Sequence, residues 1–325
     1  MGINQLVFAM SIIVLGLVIG GMLRVMAEKQ YTPSWFPLSA FLFYCIRVVL
    51  LGMNPIILVG AFWSAELTDG NLVFLPLLGV LTIVLGGLLG ILLSKMFSLN
   101  KPQTGAMFVT GSFINLGTFG SLFCVMLLGE KSLAYVAMFR LFEELFYYTV
   151  CYPVAKRYGV SQNEGRYRGW RSIIRDPFIM VTFLSIVIGG MLNVSGLERI
   201  DGYGQMIQIL VPLTAILLLI PVGFSMRIKS VRKHLLLSVS LSLVKGLLVP
   251  LLVVSAALAL GLGSIYDGYI VQVILILCMM PTAVSALVPP QLYRLDVDLA
   301  NSNWLVNTCL LVIYIPLLYV VIPLI

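Results

Sequence analysis

Charge and histidine are what this chain has least of. Only 10% of its 325 residues are charged, and 13 residues are acidic, whereas about a quarter of an average soluble domain is charged. A chain so short of charge cannot cover a water-facing surface of this size, so a soluble globular class is excluded. The one histidine, His234, falls in a basic stretch between apolar segments, which predicts a solvated loop residue. With a single histidine there is no helical His-Glu-Xaa-Xaa-His zinc site and no serine–histidine pair at membrane depth. Cysteine is scarce too. Cys45, Cys124, Cys151, Cys278 and Cys309 lie inside hydrophobic segments at no metal-ligand spacing, which argues against a thiolate metal site or a disulfide framework and leaves them as small packing residues. Catalytic residues, a metal site and an organic cofactor are therefore not expected, and the chain does not read as an enzyme.

What the chain has in abundance is apolar sequence, 60% of its residues. Crossing a hydrocarbon core of about 30 Å takes about 20 apolar residues as a helix. Ten such segments are predicted, at 5–25, 36–61, 72–94, 104–127, 132–155, 177–195, 205–226, 235–261, 268–288 and 301–324. They are uniformly apolar rather than alternating, so the prediction is an all-α polytopic membrane protein and not a barrel. The first segment has no basic residue before it and no cleavage site after it, and reads as a true span rather than a signal peptide. Leu6 stands where a myristoylation motif needs Ser or Thr.

A net charge of +7 raises the question of nucleic acid, and its distribution answers it. Fifteen of the 20 lysines and arginines fall in or beside the odd-numbered loops, and the even-numbered loops hold only Lys131 and Arg199. Basic residues segregated in this way follow the positive-inside rule, which predicts odd loops in the cytoplasm, both termini outside, and the cytoplasmic (inner) membrane as location. The partner implied is the bilayer, not nucleic acid. Trp35, Trp63, Trp170 and Trp304 are predicted at or just beyond helix ends, where the indole ring prefers the interface.

The polar stretch 158–175 divides the segments five and five, giving repeat one (1–157), a basic linker, and repeat two (176–325). An odd number of spans per half inserts the second half upside down, the arrangement of an inverted-topology repeat. Centres of segments two and seven, three and eight, and four and nine are each separated by roughly 165 residues. The linker, with Arg166, Arg168 and Arg171 around Tyr167, Trp170 and Ile173, reads equally as an interfacial helix on anionic lipid or as a solvated connector.

Segments four and nine contain residues that spoil a helix. In the first, Gly111, Gly117 and Gly120 accompany Asn115, Thr118 and Ser121; in the second, Pro281 accompanies Thr282, Ala283 and Ser285, with Pro289 and Pro290 predicted to close the helix. Interrupted spans at matching places in two halves point to a transporter's binding site, because half-helix N-termini suit an anion and C-terminal carbonyls a cation. Five charges fall inside spans: Arg47, Arg140, Glu143, Glu144 and Lys245. Each costs at least about 2.5 kcal/mol at a central position, so each is predicted to face protein or water. Arg140 is spaced to pair with Glu143 or Glu144, leaving the other carboxylate for ion coupling. Lys245 either pairs with one of these glutamates or faces an anionic ligand, and Arg47 fits either role.

Three stretches carry a family resemblance: Gly111–Ala134 (GSFINLGTFGSLFCVMLLGEKSLA), Pro212–Met226 (PLTAILLLIPVGFSM) and Met280–Val284 (MPTAV). Through them the chain resembles the auxin efflux carrier family. The resemblance implies ten helices in two inverted five-helix repeats, a scaffold of helices one, two, six and seven that is often dimeric, and a transport domain of helices three to five and eight to ten. Broken helices four and nine would cross beside the substrate. Carried over by position, Asn115, Gly117 and Gly120 match the fourth-helix motif, and Pro281, Thr282 and Ala283 the ninth. Leu122 stands where relatives commonly have proline, so the fourth helix is expected to be the less sharply broken.

These readings predict a secondary active transporter of a small organic anion, such as a carboxylate, working by an elevator-like shift of the transport domain. Asn115, Gly117, Gly120, Ser121, Pro281, Thr282, Ala283 and Lys245 would bind substrate, and Glu143 or Glu144 would couple H+ or Na+. A homodimer through the scaffold is the expected assembly. The alternatives are a sodium-coupled symporter of the bile acid/sodium type, and a membrane sensor that binds a ligand at the crossing without moving it.

Overall fold

A computed structural model describes residues 3–31, 37–66, 68–159, 177–226 and 231–324. The described residues are helical, with no strand among them. Six stretches are long and apolar enough to cross a bilayer: Met10–Glu28, Leu38–Trp63, Gly70–Met96, Lys101–Leu128, Tyr203–Ser225 and Val231–Ala259. A seventh is added if Val297–Cys309 and Leu311–Val321, bent by 41°, count as one span. The chain is thus a multi-pass membrane protein. The other expected segments are present as shorter or broken helices. Met180–Val194 and Tyr269–Cys278 are apolar but short, and the fifth segment is divided into Ser132–Phe139, Glu143–Phe146, a wide turn at Tyr147–Cys151, and Tyr152–Tyr158. Trp35 and, in the linker, residues 160–175 with Trp170 lie outside the described residues.

Proline explains three of the four π turns among the described residues. Pro55, Pro153 and Pro250 each stand in the first turn of a helix, and each follows a π turn: Val49–Met53, Tyr147–Cys151 and Val244–Leu248. A proline has no N–H to give and crowds the preceding turn, and widening that turn is one way to accommodate the ring without breaking the helix.

The chain divides into two compact units. One comprises Met1–Glu66, Ser121–Ala134 and Ile174–Met226, the other Leu67–Gly120, Tyr135–Ile173 and Arg227–Ile325. In the first unit, the helices Ile3–Glu28 and Tyr203–Ser225 approach through glycine. A side chain at Gly20 would strike the Ile220 carbonyl, and one at Gly223 the Leu17 carbonyl, the close small-residue contact by which membrane helices associate. Lys131 pairs with Glu66, and Arg199 with Glu130. In the second unit, Phe74–Met96 packs on Lys101–Ser112 through Gly86, Gly87 and Gly90, and Gly86 meets Gly111 directly. Gly111 is therefore a packing residue rather than part of a break.

Three sequence readings are corrected. His234 is not a solvated loop residue. The helix Val231–Leu243 starts before the apolar run does and turns His234 inward, 4% exposed. Trp304 is not at a helix end but inside Val297–Cys309 and fully buried, because that helix begins upstream of the predicted segment. Pro289 and Pro290 do not close a helix; they open the short helix Val288–Leu292, where a missing N–H costs nothing. Trp63 does end its helix, donating its indole N–H to the Leu197 carbonyl, and of the cysteines only Cys309 is exposed.

Candidate functional site

Both interrupted segments unwind where helix-spoiling residues cluster, and within the second unit the unwound stretches pair with each other. After Lys101–Ser112 the chain leaves helical geometry at residues 113–115 and re-enters a π turn at Leu116–Gly120; after Tyr269–Cys278 it is irregular through 280–283 before the turn Val284–Leu287. The Asn115 N–H donates to the Pro281 carbonyl (2.8 Å), and the Ala283 N–H to the Phe113 carbonyl (3.3 Å). This is antiparallel pairing, with Ile114 opposite Thr282. It answers the central problem of a break at membrane depth, where each unsatisfied backbone group costs several kcal/mol. The unwound residues in segment four are Phe113, Ile114 and Asn115, not the glycines. Gly117 and Gly120 follow in the π turn, where Gly120 lies against Leu277 and Met280.

At one end of this crossing stands Lys245, 2% exposed. It sits on the π turn that precedes Pro250. Its ammonium donates to the carbonyls of Thr110 (3.0 Å) and Phe113 (2.8 Å) and to the Thr282 hydroxyl (3.3 Å). The carbonyls lie at the C-terminal end of Lys101–Ser112, where backbone acceptors lack helical partners and the helix dipole is negative. The Thr282 hydroxyl donates to the Thr110 carbonyl (2.8 Å) and accepts from Asn307 Nδ2 (3.3 Å). Asn303 Nδ2 donates to Thr110 Oγ1 (2.8 Å), and its Oδ1 accepts from Ser238 (2.8 Å). Segments four, eight, nine and ten are thus tied by one buried polar network. A fully satisfied network of this kind fixes a single arrangement of the elements that share it.

At the other end, Asn115 caps the half-helix that begins at Leu116. Its Oδ1 accepts from the Thr118 N–H (3.2 Å) and, at longer range, the Phe119 N–H (3.4 Å), while its carbonyl accepts from the Gly120 N–H (3.1 Å). Such a cap stabilises a helix start by about 1 kcal/mol. The Arg140 guanidinium lies against Gly117, so close that a methyl group there would be 2.5 Å from Nη1. Arg140 Nε is 2.9 Å from Glu143 Oε2, and the two side chains are 31% and 6% exposed. The Glu143 carboxylate lies beside Tyr147. The Tyr147 hydroxyl accepts the Ile114 N–H (2.9 Å), and its ring stacks on Phe113 at 3.9 Å. The pair is therefore wired to the unwound backbone.

The structure brings together Asn115, Gly117, Pro281, Thr282, Ala283 and Lys245 at the crossing, with Gly120, Arg140 and Glu143 beside it. Lys245 meets neither Glu143 nor Glu144, and with three donors engaged it offers none outward. Glu144 is exposed. Arg47 is exposed in the first unit, its guanidinium 5.2 Å from the Phe43 ring centre. Ser121 is half-buried and opens Ser121–Leu128, also in the first unit. Thr110, Ser238, Asn303 and Asn307 were not singled out by sequence reasoning. Asn303 and Asn307, one turn apart in an apolar segment, are the signal that was there to find. Compared with known proteins, the chain matches no protein-family model and no curated sequence.

Proposed function

We propose that the chain is a secondary transporter of a small organic anion, with ten spans in two inverted repeats and an elevator-like shift of the second unit, in the manner of the auxin efflux carriers it resembles. The observation that carries this reading is the reciprocal pairing of two interrupted segments, Asn115 to Pro281 and Ala283 to Phe113. A half-helix N-terminus beside an arginine is suited to a carboxylate. On this reading the anion sits at the Asn115–Gly117 turn facing Arg140, and Glu143 or Glu144 is the coupling carboxylate. The grouping of segments one, two, six and seven in one compact unit supports a scaffold distinct from a moving part.

The test is counterflow in proteoliposomes. Mono- and dicarboxylates are first screened by their effect on the melting of the purified protein, and a stabilising one is then used as labelled substrate. Asn115→Ala is expected to lower exchange more than tenfold while the protein remains folded and monodisperse. Unchanged exchange would remove Asn115 from the site, and tight binding without counterflow in the parent protein would favour a sensor.

A further inference from the structure

Buried lysines generally have a carboxylate partner or face a ligand. Lys245 has no carboxylate among its partners: they are three uncharged oxygens, two backbone carbonyls and one hydroxyl. All three belong to the unwound or terminal residues of broken helices. Unwound carbonyls and half-helix C-terminal ends are the ligands with which membrane transporters hold Na+. The set is electrically neutral apart from the dipole, so it matches a single positive charge rather than a divalent ion. The side chain reaches it from a turn widened ahead of Pro250, and Gly246 on the same turn lets Tyr314 pack close.

We propose that the Thr110 and Phe113 carbonyls and the Thr282 hydroxyl form a monovalent-cation site that the chain fills with its own ammonium, Lys245. The lysine is a tethered cation. It ties segments four, eight and nine together as a bound Na+ would, but it cannot leave. On the transport reading, the parent protein then takes no coupling Na+ at this position, and coupling falls to another group or to the membrane potential. The site itself does not depend on that reading.

Melting of the purified protein separates these statements, with NaCl compared against choline chloride at equal ionic strength. The parent protein is expected to melt at the same temperature in both salts. Lys245→Ala, which empties the site, should melt lower in choline and regain at least about 3 °C as Na+ saturates. Lys245→Met, which fills the space without a charge, should be destabilised in both salts and gain nothing from Na+. A Na+-specific rise in the parent protein as large as that of Lys245→Ala would overturn the proposal. So would Lys245→Ala with no Na+-specific gain, or recovered unfolded from both salts, because a vacated cation site must be rescued by the cation. If Lys245→Ala responds to Na+ but no carboxylate exchanges in proteoliposomes, the cation site stands and the transport reading falls.

Discussion

The two cations at the crossing, Lys245 and Arg140, have opposite surroundings. Lys245 is 2% exposed and spends its three donors on three oxygens. Arg140 is 31% exposed in its side chain, holds Glu143 through Nε, and sets the rest of its guanidinium beside Gly117 at the start of a half-helix. The difference follows from shape and position. An ammonium is a compact point charge that three acceptors can saturate, and it sits at the negative end of one half-helix. A guanidinium has five donors in a planar fork, which a single carboxylate contact does not exhaust, and it sits at the positive end of the other. One end of the crossing is closed by the protein itself; the other is the end at which the proposed anion would sit.

The sharpest way to break this comparison is Arg140→Gln. It removes the charge at the open end and leaves Glu143, 6% exposed, without its partner, a loss of about 3–5 kcal/mol for a buried pair. Counterflow of the carboxylate is expected to fall more than tenfold, and chemical denaturation should report the lower stability. Arg140→Lys, which keeps a charge but not the fork, should recover stability in part and transport less. Indifference of melting to Na+ should survive both changes, since neither touches the Lys245 site. Wild-type exchange by Arg140→Gln would mean that the anion does not sit at this end.

Much of this arrangement was legible in the sequence, and the failures have physical causes. The breaks announced themselves because proline, or an Asn among glycines, is out of place in a lipid-spanning helix. Their matching positions named them as partners. The spacing of Arg140 to Glu143 and Glu144 gave a local pairing but not which glutamate takes part, and the turn between Ser132–Phe139 and Glu143–Phe146 decides it for Glu143. The oxygens around Lys245 were not legible, because two of its three partners are backbone carbonyls and carry no residue-type signal. His234 and Trp304 were misplaced because helices ran past the apolar stretches used to bound them. Pro289 and Pro290 were read with the wrong sense, since proline can stop a helix or start one and only the neighbouring geometry decides.

A milder change tests the closed end alone. Thr282→Val keeps the shape but removes the hydroxyl that donates to the Thr110 carbonyl and accepts from Lys245 and Asn307. Leaving such buried groups short of a partner costs about 1–3 kcal/mol. The network would lose stability while Arg140 and its glutamate remain as they are, and a loss below the error of the denaturation curves would mean that the hydroxyl is not a working member of the oxygen set.

The smallest effect is expected away from the crossing, and it calibrates the other two. Arg199 and Glu130 pair within the first unit with side chains 24% and 15% exposed, and Arg199 also donates to Ser64 (3.2 Å). The arginines of the two pairs are similarly exposed, but Glu130 is more exposed than Glu143 (15% against 6%), so breaking the pair strands a charge that water can still reach. A double-mutant cycle of Arg199→Ala and Glu130→Ala should give a coupling of at most about 1 kcal/mol that shrinks with added salt. Arg140 and Glu143 in the same cycle should give a larger coupling that salt barely changes. If the two cycles agreed in size and salt dependence, the deeper burial of Glu143 would not be what distinguishes the pair at the crossing from the Arg199–Glu130 pair.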